Sequence, residues 1–210
     1  MAFGVDEAGK GPVLGSMFAA AVAGDPADLP DGVADSKRLA PERRDELDER
    51  IRARCAVGVA EIPVARIDDP ETDMNALTVA AQADALSQVA SDGLAGHVDA
   101  GDVDAERFGR RVADAVTADV DITAEHGADD EYDFVAAASI VAKVARDSHV
   151  AELATGHGDV GSGYPSDPTT REFLSEYVRE HGCLPDCARE SWQTSRDALA
   201  AAEQSGLDEF

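Results

Sequence analysis

Apolar residues early in the chain come as short unbroken runs, and later ones recur at helical spacing. AFGV (2–5) is a short β-type run, and VLGSMFAAAVA (13–23) is a second, compatible with a buried strand. Residues 25–35 are rich in Asp, Pro and Gly and read as a loop. Ser36 and Pro41 announce a helix over about 41–54, with Leu47 and Ile51 one turn apart on one face. CAVGVAEIPV (55–64) has the pattern of a third strand, and an Ala-rich helix is expected over about 73–91. LAGHVDAGD (94–102) reads as a strand ending in carboxylates. Residues 103–133 are acidic and carry no distinct period. FVAAASIVAKVARDSHVAEL (134–153) is a strong helix pattern, and GSGYPSDP (161–168) is a turn-rich loop. Residues 169–182 form a helix pattern with Phe173, Leu174, Tyr177 and Val178 on one face, and a last helix is expected over about 189–202. Strands first, with helices between and after them, predict an α/β domain with helices packed at its C-terminal end.

Composition changes that picture mainly through charge. The 210 residues carry 43 Asp plus Glu against 18 Lys plus Arg, a formal net charge of −25. The acids are spread along the chain, hydrophobic content is 44%, and the only lysines are Lys10, Lys37 and Lys143. Disorder does not account for this, because the apolar periodicity is clear. A halophilic surface does: at molar salt the Debye length falls to about 3 Å and acid–acid repulsion is screened. The three cysteines, Cys55, Cys183 and Cys187, make neither a disulfide framework nor a zinc ligand pattern, so reduced, buried thiols are expected. No segment has membrane-span length and no signal pattern opens the chain, which points to a cytoplasmic protein.

The densest chemistry lies in GVDEAGKGPVLGSMFAAAV (4–22). Gly4, Gly9 and Lys10 fit the G-x-x-x-x-G-K spacing of a nucleotide-cradling loop. Gly11 stands where that loop needs Ser or Thr for Mg²⁺, Pro12 and a β-like run replace the following helix, and Asp6 and Glu7 would face the phosphates. A metal site fits better. Asp6 at a strand end aims a carboxylate into a cleft beside Glu7, and hard divalent cations take oxygen ligands. Gly9 and Gly11 let the backbone approach a ligand closely.

Taken with later segments in the same order, this stretch resembles the opening motif of ribonuclease HII, the type 2 ribonuclease H family. ADSKRL (34–39) resembles the family's D-S-K-x-L segment, and MNAL (74–77) its short Asn motif. HVDAGDV (97–103) resembles its V-D-A strand end, and GADDEYDFVAAASIVAKVARD (127–147) its A-D and A-A-S-I-x-A-K-V-x-R-D block. GSGYPSDPTTREFL (161–174) resembles its G-S-G-Y-P-S-D-P loop in the archaeal style. The resemblance covers about 1–195. It implies a ribonuclease H-like mixed sheet flanked by helices with a C-terminal helical extension. A single catalytic domain would span 1–202, with a tail over 203–210.

The family's metal-binding, catalytic carboxylates fall on Asp6, Glu7, Asp99 and Asp129. Two departures flank the last: Gly127 stands where the family usually has Lys, and Asp133 where it has Pro. The family's Gly-Arg-Gly, whose backbone contacts the ribose 2′-OH, falls on Gly9, Lys10 and Gly11. Tyr164 matches the tyrosine that stacks on the next sugar at an RNA–DNA junction. Ser36, Lys37, Asn75, Ser139 and Lys143 match positions near the nucleic-acid backbone; Ser139 and Lys143 lie one helical turn apart.

What the resemblance implies is an endonuclease with two Mg²⁺ or Mn²⁺ ions. It would hydrolyse the RNA strand of RNA–DNA hybrids and cut at ribonucleotides embedded in duplex DNA, leaving 5′-phosphate and 3′-hydroxyl ends. The competing reading is a non-catalytic nucleic-acid-binding module recruited to a sliding clamp. The tail QSGLDEF (204–210) supplies the clamp element: Gln204, Leu207 and Phe210 match Q-x-x-[hydrophobic]-x-x-[aromatic]. No large apolar surface stripe is evident, so a monomer is expected.

Overall fold

The computed structural model describes residues 1–34 and 39–207, with side chains through Gln204. Five strands form one mixed sheet: β1 (Ala2–Ala8), β2 (Met17–Gly24), β3 (Ala56–Ile62), β4 (Leu94–Asp99) and β5 (Val120–Glu125), in the order β3-β2-β1-β4-β5. β1 runs antiparallel to β2 and parallel to β4, and β4 is parallel to β5. Among the described residues there are seven α-helices: α1 (Pro41–Arg54), α2 (Val64–Ile67), α3 (Met74–Ser87), α4 (Ala105–Ala115), α5 (Asp133–His157), α6 (Pro168–His181) and α7 (Gln193–Leu207). None of the described helices is long and apolar enough to cross a membrane.

The chain divides into two compact units. The first comprises 1–8, 18–61 and 73–146, and holds the sheet with α1, α3, α4 and most of α5. β1 shows how it is layered. Successive side chains of a strand point to opposite faces. Gly4 and Asp6 face α5: a Cβ at Gly4 would lie 2.2 Å from both Phe134 C and Val135 N, so only glycine lets this helix approach. Ala20 and Val22, opposite Asp6 and Gly4 in β2, join Leu47, Ile51, Phe134, Ala137, Ala138 and Ile140 in the core on that side. Phe3, Val5 and Glu7 face the other way, where α3 packs on β1 and α4 on β5.

The second unit comprises 9–17, 62–72 and 147–210. Its core gathers Val13, Leu14, Val160, Leu174, Cys187 and Ala188. This explains the one long apolar run that is not all strand. Val13 and Leu14 are apolar because they fill this second core; Leu14 makes a single bridge to Ala188, and Gly15 at φ 80° breaks the extended path before β2 begins at Met17.

The expected α1 has the observed bounds, with Leu47 and Ile51 buried. Its N-cap is Ala40, which makes no side-chain capping bond, and Ser36 lies outside the described residues. The indistinct stretch 103–133 contains α4 and β5. Asp104 caps α4 through the Arg107 N–H, and β5 alternates half-buried and exposed residues. The thiols correct the expectation of uniform burial: Cys187 is buried, Cys55 is half-buried and Cys183 is exposed.

Candidate metal centre

Asp6 and Asp99 reach the same place by strand register. Val5 pairs with Val98 in adjacent parallel strands, so the next residue of each strand is a carboxylate on the same face. Glu7 follows on the opposite face of β1. One oxygen from each of Asp6, Glu7 and Asp99 lies within 4.8 Å of the others. Burial and the charges of Glu7 and Asp99 push the Asp6 carboxyl well above the usual carboxylate range. Such an array repels itself, and a cation relieves the repulsion. An all-oxygen donor set suits a hard divalent ion such as Mg²⁺ or Mn²⁺, so these residues fit the metal chemistry.

Each carboxylate is held from a different element. The Glu7 N–H donates to Asp6 Oδ1 at 2.7 Å. From α5, Lys143 Nζ donates to Ser139 Oγ at 2.8 Å, and the Ser139 hydroxyl hydrogen-bonds to Asp6. Ser139 is fully buried and Lys143 half-buried. From α3, Gln82 Nε2 donates to Glu7 Oε2 at 2.8 Å and to the Asp99 carbonyl at 2.9 Å. The Ala128 N–H donates to Asp99 Oδ1 at 2.7 Å.

That last bond anchors the 3-10 turn Ala128–Asp130, which carries Asp129. The turn starts at Gly127 with φ 67° and ψ 31°, a left-handed conformation that glycine adopts without strain. Tyr132 secures its other end, stacking on His97 at 3.5 Å between ring centroids and donating to Glu125 at 2.9 Å. Asp129 is buried, but it is not one of the three carboxylates whose oxygens all lie within 4.8 Å of one another.

The remaining candidates divide by unit. Asn75 is half-buried near the start of α3, on the stripe that leads through Thr78 to Gln82. In the second unit, Gly9 adopts φ 91° and the fully buried Arg189 grips the loop. Its Nη2 donates to the Gly9 carbonyl at 2.6 Å, Nη1 to that of Lys10 at 3.1 Å and Nε to that of Gly15 at 2.9 Å. Trp192 stacks on the guanidinium, 4.8 Å from ring centroid to Cζ, and donates Nε1–H to the Gly11 carbonyl at 3.3 Å. Tyr164 is exposed beside this loop, with Cε1 3.8 Å from where a Cβ on Gly11 would sit. Its own turn is fixed by Asp167, which accepts from the Ser162 and Thr169 N–H groups, and by Thr170 Oγ1, which accepts from Gly163 N–H. Ser36, Lys37 and Phe210 lie outside the described residues. Gln204 is exposed on α7, and Leu207 ends that helix with its side chain undescribed.

The family model for ribonuclease HII matches residues 3–195. The chain belongs to the ribonuclease HII family. It is 78% identical over 209 residues to ribonuclease HII of Halobacterium salinarum, covering 99% of each chain. This haloarchaeal relative fits the acid-rich composition. Ribonuclease H2 of Pyrococcus horikoshii superposes with a TM-score of 0.90 at 35% identity, covering 97% of this chain and 99% of that one. Ribonuclease HII of Archaeoglobus fulgidus, solved as a complex with PCNA, gives a TM-score of 0.85 at 38% identity over the full length of both chains. Family membership makes this chain a ribonuclease H enzyme, a divalent-metal-dependent hydrolase with the ribonuclease H-like fold.

Proposed function

We propose that the enzyme cuts the RNA strand of RNA–DNA hybrids and also incises duplex DNA at single embedded ribonucleotides, leaving 5′-phosphate and 3′-hydroxyl ends. The observation that carries this reading is the mutual approach of Asp6, Glu7 and Asp99 within 4.8 Å. Asp6, Glu7, Asp99 and Asp129 would hold two Mg²⁺ or Mn²⁺ ions. When bound, such ions supply a nucleophilic water at neutral pH and stabilise charge on the departing oxygen.

The protein's own part is positional. Ser139 and Lys143 steady Asp6, while Gln82 steadies Glu7. The Gly9–Gly11 backbone recognises the ribose 2′-OH, and Tyr164 stacks on the neighbouring sugar. Asn75, Lys10, Ser36 and Lys37 contact the nucleic-acid backbone. The enzyme acts as a monomer in the cytoplasm, as one catalytic domain with a tail that binds the sliding clamp through Gln204, Leu207 and Phe210. The tail's spacing supports the clamp reading, as does a relative solved together with PCNA.

The test is cleavage of a labelled DNA duplex holding one ribonucleotide, in molar KCl with Mg²⁺ or Mn²⁺, by wild type and Asp99→Asn. Incision on the 5′ side of the ribonucleotide by wild type alone is the expected result. Cleavage of a long hybrid without incision of this duplex would remove the junction roles of Tyr164 and the Gly9–Gly11 loop. Equal cleavage by Asp99→Asn would remove the metal-ligand role of that carboxylate.

A further inference from the structure

Gln82 is fully buried within α3, on a helix whose other buried residues are almost all apolar. Its side-chain amide faces two groups that can only accept: Glu7 Oε2 at 2.8 Å and the Asp99 carbonyl at 2.9 Å. Both amide hydrogens are therefore committed to the metal centre, and the orientation of the amide follows from the identity of its partners. The consequence is an orphan. Gln82 Oε1 is buried and finds no hydrogen-bond partner among the described residues. A buried polar side chain left half-satisfied carries a folding cost, here at the Gln82 carbonyl oxygen. What the orphaned carbonyl leaves in place is a double donor that ties Glu7, near the end of β1, to the last residue of β4.

The donor is also uncharged. Arg or Lys at this position would pair with Glu7 and compete with a cation for it. An amide fixes the carboxylate through one oxygen and leaves its negative charge in place. Metal-ligating carboxylates characteristically rely on such outer hydrogen bonds for their orientation.

We infer that Gln82 is a positioning residue for the metal centre, holding Glu7 and the end of β4 in ligating register while its own carbonyl stays unpaired. This rests on the reading of Asp6, Glu7 and Asp99 as metal ligands. Gln82→Met, close in volume and apolar, separates the two effects. A purely structural Gln82 makes this variant less stable and leaves metal binding unchanged once it is folded. A positioning Gln82 gives a folded variant whose Mn²⁺ affinity, measured by calorimetry without substrate, is reduced about 10–100-fold whatever its melting temperature, the range for loss of an outer hydrogen bond to a ligand. kcat falls by a similar factor, while KM for the nucleic acid stays within about twofold of wild type, because Gln82 contacts no substrate. Gln82→Glu is the second variant. Its shape is conserved, but its carboxylate faces Glu7, so Mn²⁺ affinity changes again without loss of the fold.

Folded variants that bind Mn²⁺ as wild type does and retain its kcat overturn the inference. So does failure of both variants to fold, which would make the role structural. Absence of Mn²⁺ binding by wild type would instead overturn the metal reading of the three carboxylates.

Discussion

Arg189 offers the sharpest test of how the second unit builds its loop. The guanidinium is fully buried and donates to the carbonyls of Gly9, Lys10 and Gly15. Methionine at 189 keeps most of the volume and removes all three donors. Hydrogen bonds from a charged donor contribute roughly 1.5–3 kcal/mol each, which gives about 5–9 kcal/mol for the three. Burying the charge offsets several kcal/mol of this, so the net loss is about 3 kcal/mol. At roughly 2–4 °C per kcal/mol for a chain of this size, Arg189→Met melts about 6–12 °C lower. The loop has one way to avoid that loss, which is to shift until water reaches its carbonyls. Gly9–Gly11 then leaves its position, and on its proposed role in substrate recognition a displacement of 1 Å can reduce turnover by roughly 10²-fold. The two costs trade against each other, so melting temperature and kcat/KM on a ribonucleotide-containing duplex must be read on the same sample in molar KCl. Arg189→Lys loses nearly as much, because a single ammonium cannot span carbonyls that a planar fork reaches together. Wild-type melting and wild-type kcat/KM in the same Arg189→Met preparation would refute the reasoning.

Three further outcomes follow from other parts of the molecule. Gly4→Ala places a Cβ 2.2 Å from the backbone of Phe134 and Val135, so denaturant unfolding should show a loss of about 3 kcal/mol, the upper end for overpacking. The hydrogen bond from Arg107, then that from the Val103 N–H and the Arg107 charge, hold Asp102 below the usual carboxylate range against the opposing effect of burial. A depressed folded pKa contributes stability that is present above the unfolded value, near 4, and lost as pH falls through the folded one. The urea midpoint of Asp102→Asn should accordingly lie below wild type at pH 7 and converge with it in acid. Binding to a labelled hybrid should fall less steeply with added KCl than for non-halophilic members of the family, because few Lys or Arg contacts release counterions; an equally steep slope would count against backbone-mediated binding.

Much of the architecture was legible because local and global signals agreed. Pro41 at the first helical position and the Leu47/Ile51 pair set α1 to the residue. The Asp6 and Asp99 carboxylates stood out because each follows a short strand-like apolar run and falls within a motif of the family; β1 itself continues past Asp6 to Ala8. β5 was hidden by its own environment: VDITAE alternates correctly, yet its inward residues are only half-buried and acids surround it. α4 has only Phe108, Gly109 and Val112 buried between charges. The two polar residues that organise the candidate sites, Gln82 and Arg189, lay beyond reach for a different reason. A glutamine or arginine reads as surface by default, and only the third dimension shows that each is fully buried. A faint signal existed in Gln82, whose neighbours in LTVAAQADAL are apolar on nearly every side.

The distribution of charge gives the arrangement a common logic. A chain with net charge −25 must hold clustered carboxylates and also engage a polyanion. Surrounding the carboxylate cluster with arginines would neutralise the charge that attracts a cation. Here the donors to the carboxylates include an amide, a hydroxyl and backbone N–H groups, and the Lys143 ammonium donates to Ser139, which bonds Asp6. Arg189 likewise spends its donors on carbonyls behind the Gly9–Gly11 loop. In both places the protein orders acceptors with donors drawn from inside the fold and leaves the surface acidic. Salt screens that acidic surface far more than it screens buried bonds, so the internal arrangement holds at molar KCl, where a site built on exposed ion pairs would be weakened.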